Sequence, residues 1–552
     1  MLFRSALRAR HFALALLLAC SPLLCLAQDE RFDIMRYQVD GNTLLPPQEI
    51  EAMLAPMTGR GRVYGDIQKA LETLEAAYRA RGFSTVQVYV PEQELGTGAV
   101  RIRVTEAVVS RITVLDNLHF NNANVLAGLP SLQLGRVPNL AALSENIQLS
   151  NENPAKQIEV LLGAGAEEGK VEAKVTVTEV KPTRVFFTAD NTGTAATGNW
   201  RTGAAWQHAN LFNRDHVATL AYTTSPDSPS GVNVNLFSLG YRVPLYSIGD
   251  SLDFIFGKSS VNTPSSTPTL GGALSIVGRG NVYGVRWNHY FPRIGQQTEK
   301  LVIGLDHKYS DARCSFNGVE LSIAPPTPPV ASCVPYTTTP LSATWMVQHT
   351  SPGQALDFNF GLAYNLASGT RYTSLDGTVD RYSYLTPGSR STRDDFRILR
   401  GGVNWLKALA ADWQLKVSGA MQFSGLPLVA GEQIGLAGSS TVRGFNERGF
   451  AADSGYVLNL EWYTPELAAR AGIPGTLRVL AFQDMASGFN SKTAGTTVPS
   501  RGTVGSIGAG LRYASGRDVA IRADFARIVA TGPLSQERTG HWRGHVAVMI
   551  GF

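Results

Sequence analysis

Cysteine is scarce in this chain of 552 residues. There are four, and two of them, Cys20 and Cys25, fall within the first 27 residues. The other two, Cys314 and Cys333, flank a stretch that holds Pro325, Pro326, Pro328 and Pro329. Two thiols with no His between them are too few for a structural metal site. In an exported chain they point to one disulfide, with two unpaired thiols as the alternative. Long apolar runs are also missing. Beyond the N-terminal segment no stretch reaches the roughly 18 apolar residues of a membrane-spanning helix. Gly257-Lys258-Ser259 lacks the preceding Gly of a phosphate-binding loop, so nucleotide chemistry is not indicated. The nine His residues are scattered, and neither a His-Glu-x-x-His run nor a nucleophile elbow occurs. His541 and His545 could share a strand face, but a metal reading would need acids or thiols beside them. No enzyme, metal or cofactor is expected.

The N-terminus reads as an export signal, residues 1–27. Arg4, Arg8 and Arg10 precede an apolar run from Phe12 to Ala19, extended by Leu23 and Leu24, and Cys25-Leu26-Ala27 offers small residues for cleavage before Gln28. A membrane anchor fits less well because the run is short and broken by Pro22. A lipoprotein signal ending at Cys20 would leave an apolar stub. Loss of three arginines and no acid lowers the formal charge from +5 to +2, so no nucleic-acid partner is expected.

Residues 28–107 read as a small α+β module in the order strand, helix, helix, strand, strand. A turn at Asp40-Gly41-Asn42 follows the first strand, and Ile67, Leu71, Leu74 and Tyr78 recur at helical spacing. Val86, Val88 and Val90 alternate, as do Val100, Ile102 and Val104. Residues 108–182 repeat this order more loosely, with Ile112 to Asn117 as strand and turn, Leu140, Leu143 and Ile147 on a helix face, and Val171 to Val177 as the last strand. The two units close on Val104-Thr105-Glu106 and Val177-Thr178-Glu179, which argues for tandem modules.

From 183 to 552 period two replaces helical spacing. Leu356, Phe358, Phe360, Leu362, Tyr364 and Leu366 alternate with small or polar residues. So do Trp413, Leu415, Val417, Gly419, Met421 and Phe423, and a third set is Leu252, Phe254 and Phe256. Strands of about ten residues, apolar on one face only, fit a transmembrane barrel. A soluble β-sandwich also alternates, but with strands of about five or six residues. At roughly twenty-odd residues per strand and connection, this region accommodates about 16 antiparallel strands, an even number as in bacterial barrels. The last strand carries Val546, Val548, Ile550 and Phe552 on one face and runs to the chain end. In a closed barrel it pairs with the first strand.

About a hundred residues before that end stands Val442-Arg443-Gly444-Phe445, followed by Asp453-Ser454-Gly455 and Glu461. Phe482-Gln483-Asp484-Met485-Ala486 comes next. With two modules and a barrel, these motifs resemble the two-partner secretion transporters of the haemolysin secretion/activation type, whose superfamily includes the barrel-assembly proteins. The resemblance covers nearly all of the mature chain. It implies that Val442 to Phe445 lie on the sixth extracellular loop, folded back into the lumen, and that Arg443 pairs with Asp484 of a Phe-x-Asp-x-Gly motif. The final Gly of that motif is Ala486 here. A guanidinium in a partly dehydrated lumen needs a matching acid. Many such transporters carry a plug helix before the first module. With a module starting near Phe32, this chain is expected to lack one.

The resemblance implies an outer-membrane protein-conducting channel with its POTRA-like modules in the periplasm. The partners it implies are a secreted, unfolded exoprotein, outer-membrane lipid, and the barrel-assembly machinery for insertion, with a monomeric barrel. A peptide groove is expected in the first module at Ile67, Leu71, Leu74 and Tyr78 beside Val86, Val88 and Val90, used by β-augmentation. The rival functions are a barrel-assembly factor and a porin-like solute channel.

Overall fold

The structure is a computed structural model. It describes residues 31–552 except 261–264, 270–271, 277, 312–314, 317–318, 321–333, 374–376 and 386–389. The export signal and the Cys314–Cys333 pair therefore lie outside the described residues. The chain divides into two compact units. One is Met1–Val108 with Glu167–Gly169, and the other is Val109–Ala166 with Lys170–Phe552.

In the first unit, strand β1 (Arg36–Asp40) lies parallel to β3 (Ala99–Thr105), and β2 (Gln87–Tyr89) pairs antiparallel to β3 at the sheet edge. Helices α1 (Pro47–Leu54) and α2 (Tyr64–Ala80) bury Ile50, Leu54, Ala70, Leu74 and Tyr78 against Val88, Ile102 and Val104. Alternation along β3 sets this face, since Val100, Ile102 and Val104 are buried while Arg101 and Arg103 are exposed.

The second unit starts with a related module. Its sheet order is β4 (Val108–Leu115), β6 (Lys170–Glu179), β5 (Lys156–Ala164), with helices α3 (Asn122–Ala127) and α4 (Leu140–Asn151). The repeated Val-Thr-Glu has a structural cause. Glu106 accepts the backbone N–H groups of Thr43 and Leu44 at 2.8 and 3.0 Å, and Glu179 accepts those of Leu118, His119 and, at 3.2 Å, Phe120. In each module a carboxylate from the last strand thus satisfies the turn after the first strand. Asn42 and Asn117 brace the same turns through their amide groups, each donating at 2.8 Å to a carbonyl three residues on.

The rest is a closed antiparallel barrel of 16 strands. They are β7 (Thr183–Asp190), β8 (Arg201–Leu211), β9 (His216–Thr224), β10 (Leu236–Leu245), β11 (Asp250–Ser259), β12 (Gly280–Tyr290) and β13 (Gln297–Ser310). Next come β14, broken at Thr339 into Tyr336–Thr338 and Pro340–Ser351, then β15 (Gln354–Asn365), β16 (Arg397–Ala408) and β17 (Gln414–Phe423). The last five are β18 (Ser454–Tyr463), β19 (Thr476–Phe489), β20 (Arg501–Ser515), β21 (Val519–Thr531) and β22 (Trp542–Gly551). The barrel closes where β22 meets β7, from Ala547 opposite Asp190 to Gly551 opposite Phe186. Leu356, Phe358, Phe360, Leu362 and Tyr364 all point outward, exposed on the surface that lipid covers. Ile550 and Phe552 lie on the same outward face of the chain end, and Phe552 packs edge-on to Phe187 of the first strand.

Candidate functional site: the loop inside the barrel

The loop between β17 and β18 turns inward as a hairpin. Ile434–Gly435 pairs with Ala451–Ala452, and the Leu436 N–H donates to the Phe450 carbonyl. Its tip carries the Val-Arg-Gly-Phe motif. The Gly438 N–H donates to the Val442 carbonyl at 3.0 Å, folding the tip just before Arg443. Val442 and Phe445 are buried with Leu436, Phe450, Ala486, Val504 and Ile528, so the loop packs on the inner barrel wall through an apolar cluster of its own. Gly444 has φ of +96°, and a Cβ there would meet Ala526 and Ile528 of β21 at 3.3 and 3.4 Å. Only glycine adopts that backbone cheaply at such close approach.

Arg443 is 2% exposed. Its Nε and Nη2 donate to the two carboxylate oxygens of Asp484, each at 2.7 Å, and its own backbone N–H reaches the same group at 3.1 Å. The predicted partners are thus brought together in a bidentate pair. The free side of the guanidinium reaches Glu461 at 2.7 Å and Asp524 at 3.3 Å. The guanidinium carbon also sits 3.5 Å from the centre of the Phe482 ring. Phe482 and Asp484 both face the lumen because they are two residues apart on β19. The ring lies over Gly508 of β20, where a Cβ would come within 2.5 Å of it. Burial alone would depress the Arg443 guanidinium, but Asp484, Glu461 and Asp524 raise it above its ordinary range, so it stays charged.

Several partners carried no sequence signal strong enough to single them out. Asp524 sits on β21, held by Arg522 at 2.7 Å and Arg512 at 2.8 Å. Asn459 donates to Asp484 at 2.8 Å and to the Thr441 carbonyl at 2.6 Å. His545 on β22 accepts the Gly444 N–H at 2.8 Å. His541 lies just before β22, where its carbonyl accepts the Ile528 N–H of β21 and its own N–H donates to the Arg538 carbonyl of the preceding turn. Among the described residues no group of His, Cys, Asp or Glu is arranged to hold a metal.

Nearer the outer end, Arg390 donates to both oxygens of Asp453 at 3.0 Å, and Asp453 also accepts from Leu428, Gln433 and Ser491. Glu432, also on the loop, binds Lys308 at 3.0 Å, Thr338 at 2.9 Å and Arg400 at 3.1 Å. Burial would raise its carboxyl, but Lys308 and Arg400 hold it below the usual carboxylate range. The loop is therefore tied to the barrel wall on several sides.

The expected groove in the first module needs correction. Ile67, Leu74, Tyr78 and Val88 are core residues, buried by the packing of α2 on the sheet, and offer nothing to a peptide. The helical spacing that singled them out marks the face a helix turns to its own sheet. Leu71, Val86 and Val90 remain half-buried at the margin of that core.

With this geometry in place, comparison with known proteins is informative. The profile of the haemolysin secretion/activation protein ShlB/FhaC/HecB family matches residues 169–512. The chain belongs to this family. The profile of the ShlB-type POTRA domain matches residues 32–107. The hemolysin transporter protein ShlB of Serratia marcescens is 24% identical over 490 residues, spanning 86% of this chain and 78% of that protein. Among solved structures, CdiB from Escherichia coli superposes with a TM-score of 0.71 at 19% identity, covering 97% of this chain and 93% of that one. CdiB from Acinetobacter baumannii gives 0.68 at 14% identity, with 95% and 91% covered. Both share the fold. As a member of the ShlB/FhaC/HecB family, this protein is an outer-membrane transporter of the two-partner secretion type, with a periplasmic POTRA region.

Proposed function

We propose that this protein captures an unfolded exoprotein in the periplasm and passes it through the barrel lumen, where the loop carrying Arg443 is the movable obstruction. The observation that carries the reading is a buried ion-pair cluster between a surface loop and the inner barrel wall. A loop held by charge and hydrogen bonds inside a wide barrel has a second, displaced position available, in which water replaces those partners. Family membership supports the transport of a secreted partner.

Capture falls to the first module. Among the described residues β2 pairs with β3 alone, which leaves its outer edge open to a further strand. An extended peptide adds there by β-augmentation, with the half-buried Leu71, Val86 and Val90 at the margin. The module boundaries assigned to this role are 28–107 and 108–182, followed by the barrel at 183–552. Insertion by the barrel-assembly machinery and function as a monomer complete the proposal. No catalytic step is needed, because folding of the exoprotein outside supplies direction.

The test removes residues 32–107 only. The second module stays, because it forms one compact unit with the barrel. Export of the exoprotein is expected to stop while the barrel still inserts and shows heat-modifiable migration. Undiminished export sinks the capture model. A general loss of outer-membrane proteins on depletion of the full chain would instead support the assembly factor.

A further inference from the structure

The Gly444–His545 contact has a chemical constraint that the rest of the loop site does not. A backbone N–H only donates, so Nε2 of His545 must be unprotonated to accept it at 2.8 Å. An imidazolium carries a proton on both nitrogens, and would turn the contact into two donors facing each other. We propose that neutral His545 is a positioning residue for the lumen loop. It ties the loop tip to β22, the strand that closes the barrel, and protonation of the ring breaks that tie. This rests on the reading of the loop as the lumen's obstruction.

The surroundings make a charged ring unwelcome. His545 is 6% exposed. On its own strand stands Arg543, which donates to Asn446 of the loop. The neighbouring β21 presents Arg522 and Asp524, and those two are paired with each other at 2.7 Å. The loop adds Arg443, paired with Asp484, and Glu447, whose carboxylate is occupied by the Ser439 N–H at 2.6 Å. At the start of the connection after β7, Asn191 is uncharged, with Asp190 beside it on the strand. Three guanidinium groups therefore face the ring, and the acids near it already have partners.

The sign of the pH effect follows. The docked loop needs the neutral ring as acceptor, whereas a loop that has left the contact places no such demand on the ring. The tie is fully present above the ordinary imidazole pKa of about 6.5 and is lost as pH falls below it. One proton taken up on release shifts the docked-to-undocked ratio by up to about tenfold per pH unit.

The experiment records channel openings of the full-length protein in planar lipid bilayers, without exoprotein, from about pH 7.5 to about pH 5.5, across the imidazole range. Wild type is expected to open more often as pH falls. His545→Gln keeps an acceptor oxygen at similar reach but does not ionise, so it should stay closed and flat across the range. His545→Leu, with no acceptor, should open at both ends. The other His residues and every carboxylate of the lumen are present in all three proteins. A flat wild-type profile, or the same slope in wild type and His545→Gln, overturns the proposal. Arg443→Ala serves as the separate control. If it opens the channel while the His545 variants behave like wild type, this inference fails and the obstruction reading stands. If it also stays closed, both fall.

Discussion

Arg443→Ala is the substitution from which the structure predicts most. The wild-type cluster sets Arg443, Arg512, Arg522 and Lys416 against Asp484, Glu461 and Asp524. Without Arg443, Glu461 keeps Arg512 and Lys416, and Asp524 keeps Arg512 and Arg522. Asp484 is the carboxylate left without a cation. It retains Asn459 at 2.8 Å and the residue-443 backbone N–H at 3.1 Å. Breaking a buried pair by removing one partner costs about 3–5 kcal/mol, and these remaining donors place this case near about 3 kcal/mol. That corresponds to a shift of roughly a hundredfold toward the undocked loop. Val442 and Phe445 still pack on the wall, so the loop is loosened without being unfolded. Single-channel recording should show open time rising by about two orders of magnitude, and export of the exoprotein should fall. Asp484→Ala should behave alike, and the double variant no worse than either. Arg443→Lys should be intermediate, because an ammonium cannot bridge both carboxylate oxygens as the guanidinium fork does. Additive effects of the two alanine substitutions, or an unchanged open time in Arg443→Ala, would refute a direct pair that holds the loop.

Three further outcomes follow from other contacts. Phe445→Ala removes a ring that is 1% exposed, which should cost about 3–5 kcal/mol of loop docking and raise open time even with the ion pairs intact. Lys156→Ala leaves Asp215, 2% exposed, with only the Tyr246 hydroxyl at 2.7 Å. It should lower the unfolding temperature, while Lys156→Met with Asp215→Leu should regain most of the loss. Glu432 has its docked carboxyl held below the ordinary value. Its ties are therefore fully present above the usual carboxylate range, near about pH 4–5, and weaken only as pH falls below it. Openings in Glu432→Gln should accordingly be more frequent than in wild type at neutral pH but keep the wild-type slope through the imidazole range.

Much of the architecture was legible because period is a physical consequence of burial. Lipid on one side and water on the other impose alternation, so the run from Leu356 to Tyr364 reads outward residue by residue. Arg443 and Asp484 were legible through the resemblance and not through spacing, since 41 residues separate them. Asp524, and the loop contact of His545, stayed hidden for a related reason. Each is a single polar residue on an alternating strand, and nothing local distinguishes one that faces a loop from one that faces water. Ile67, Leu74, Tyr78 and Val88 of the expected groove are core because α2 repeats apolar residues toward its own sheet, and that periodicity says which face is buried and not which is shared. The clamp between the second module and the barrel was invisible as well. Lys156 and Asp215 are ordinary charges in sequence, yet in the fold they form a buried pair beside Asn124 and Asn153, which donate across the same boundary to the Asn213 and Ala209 carbonyls.

The most direct measurement of the central claim is vectorial transfer of an exoprotein. The purified protein is placed in liposomes with its modules outward, and a candidate secreted exoprotein is added in unfolded form without nucleotide. The account predicts that full-length exoprotein becomes protected from external protease and folds inside. If the exoprotein stays fully digestible while small solutes pass through the same vesicles, the barrel is a solute channel and the account is wrong.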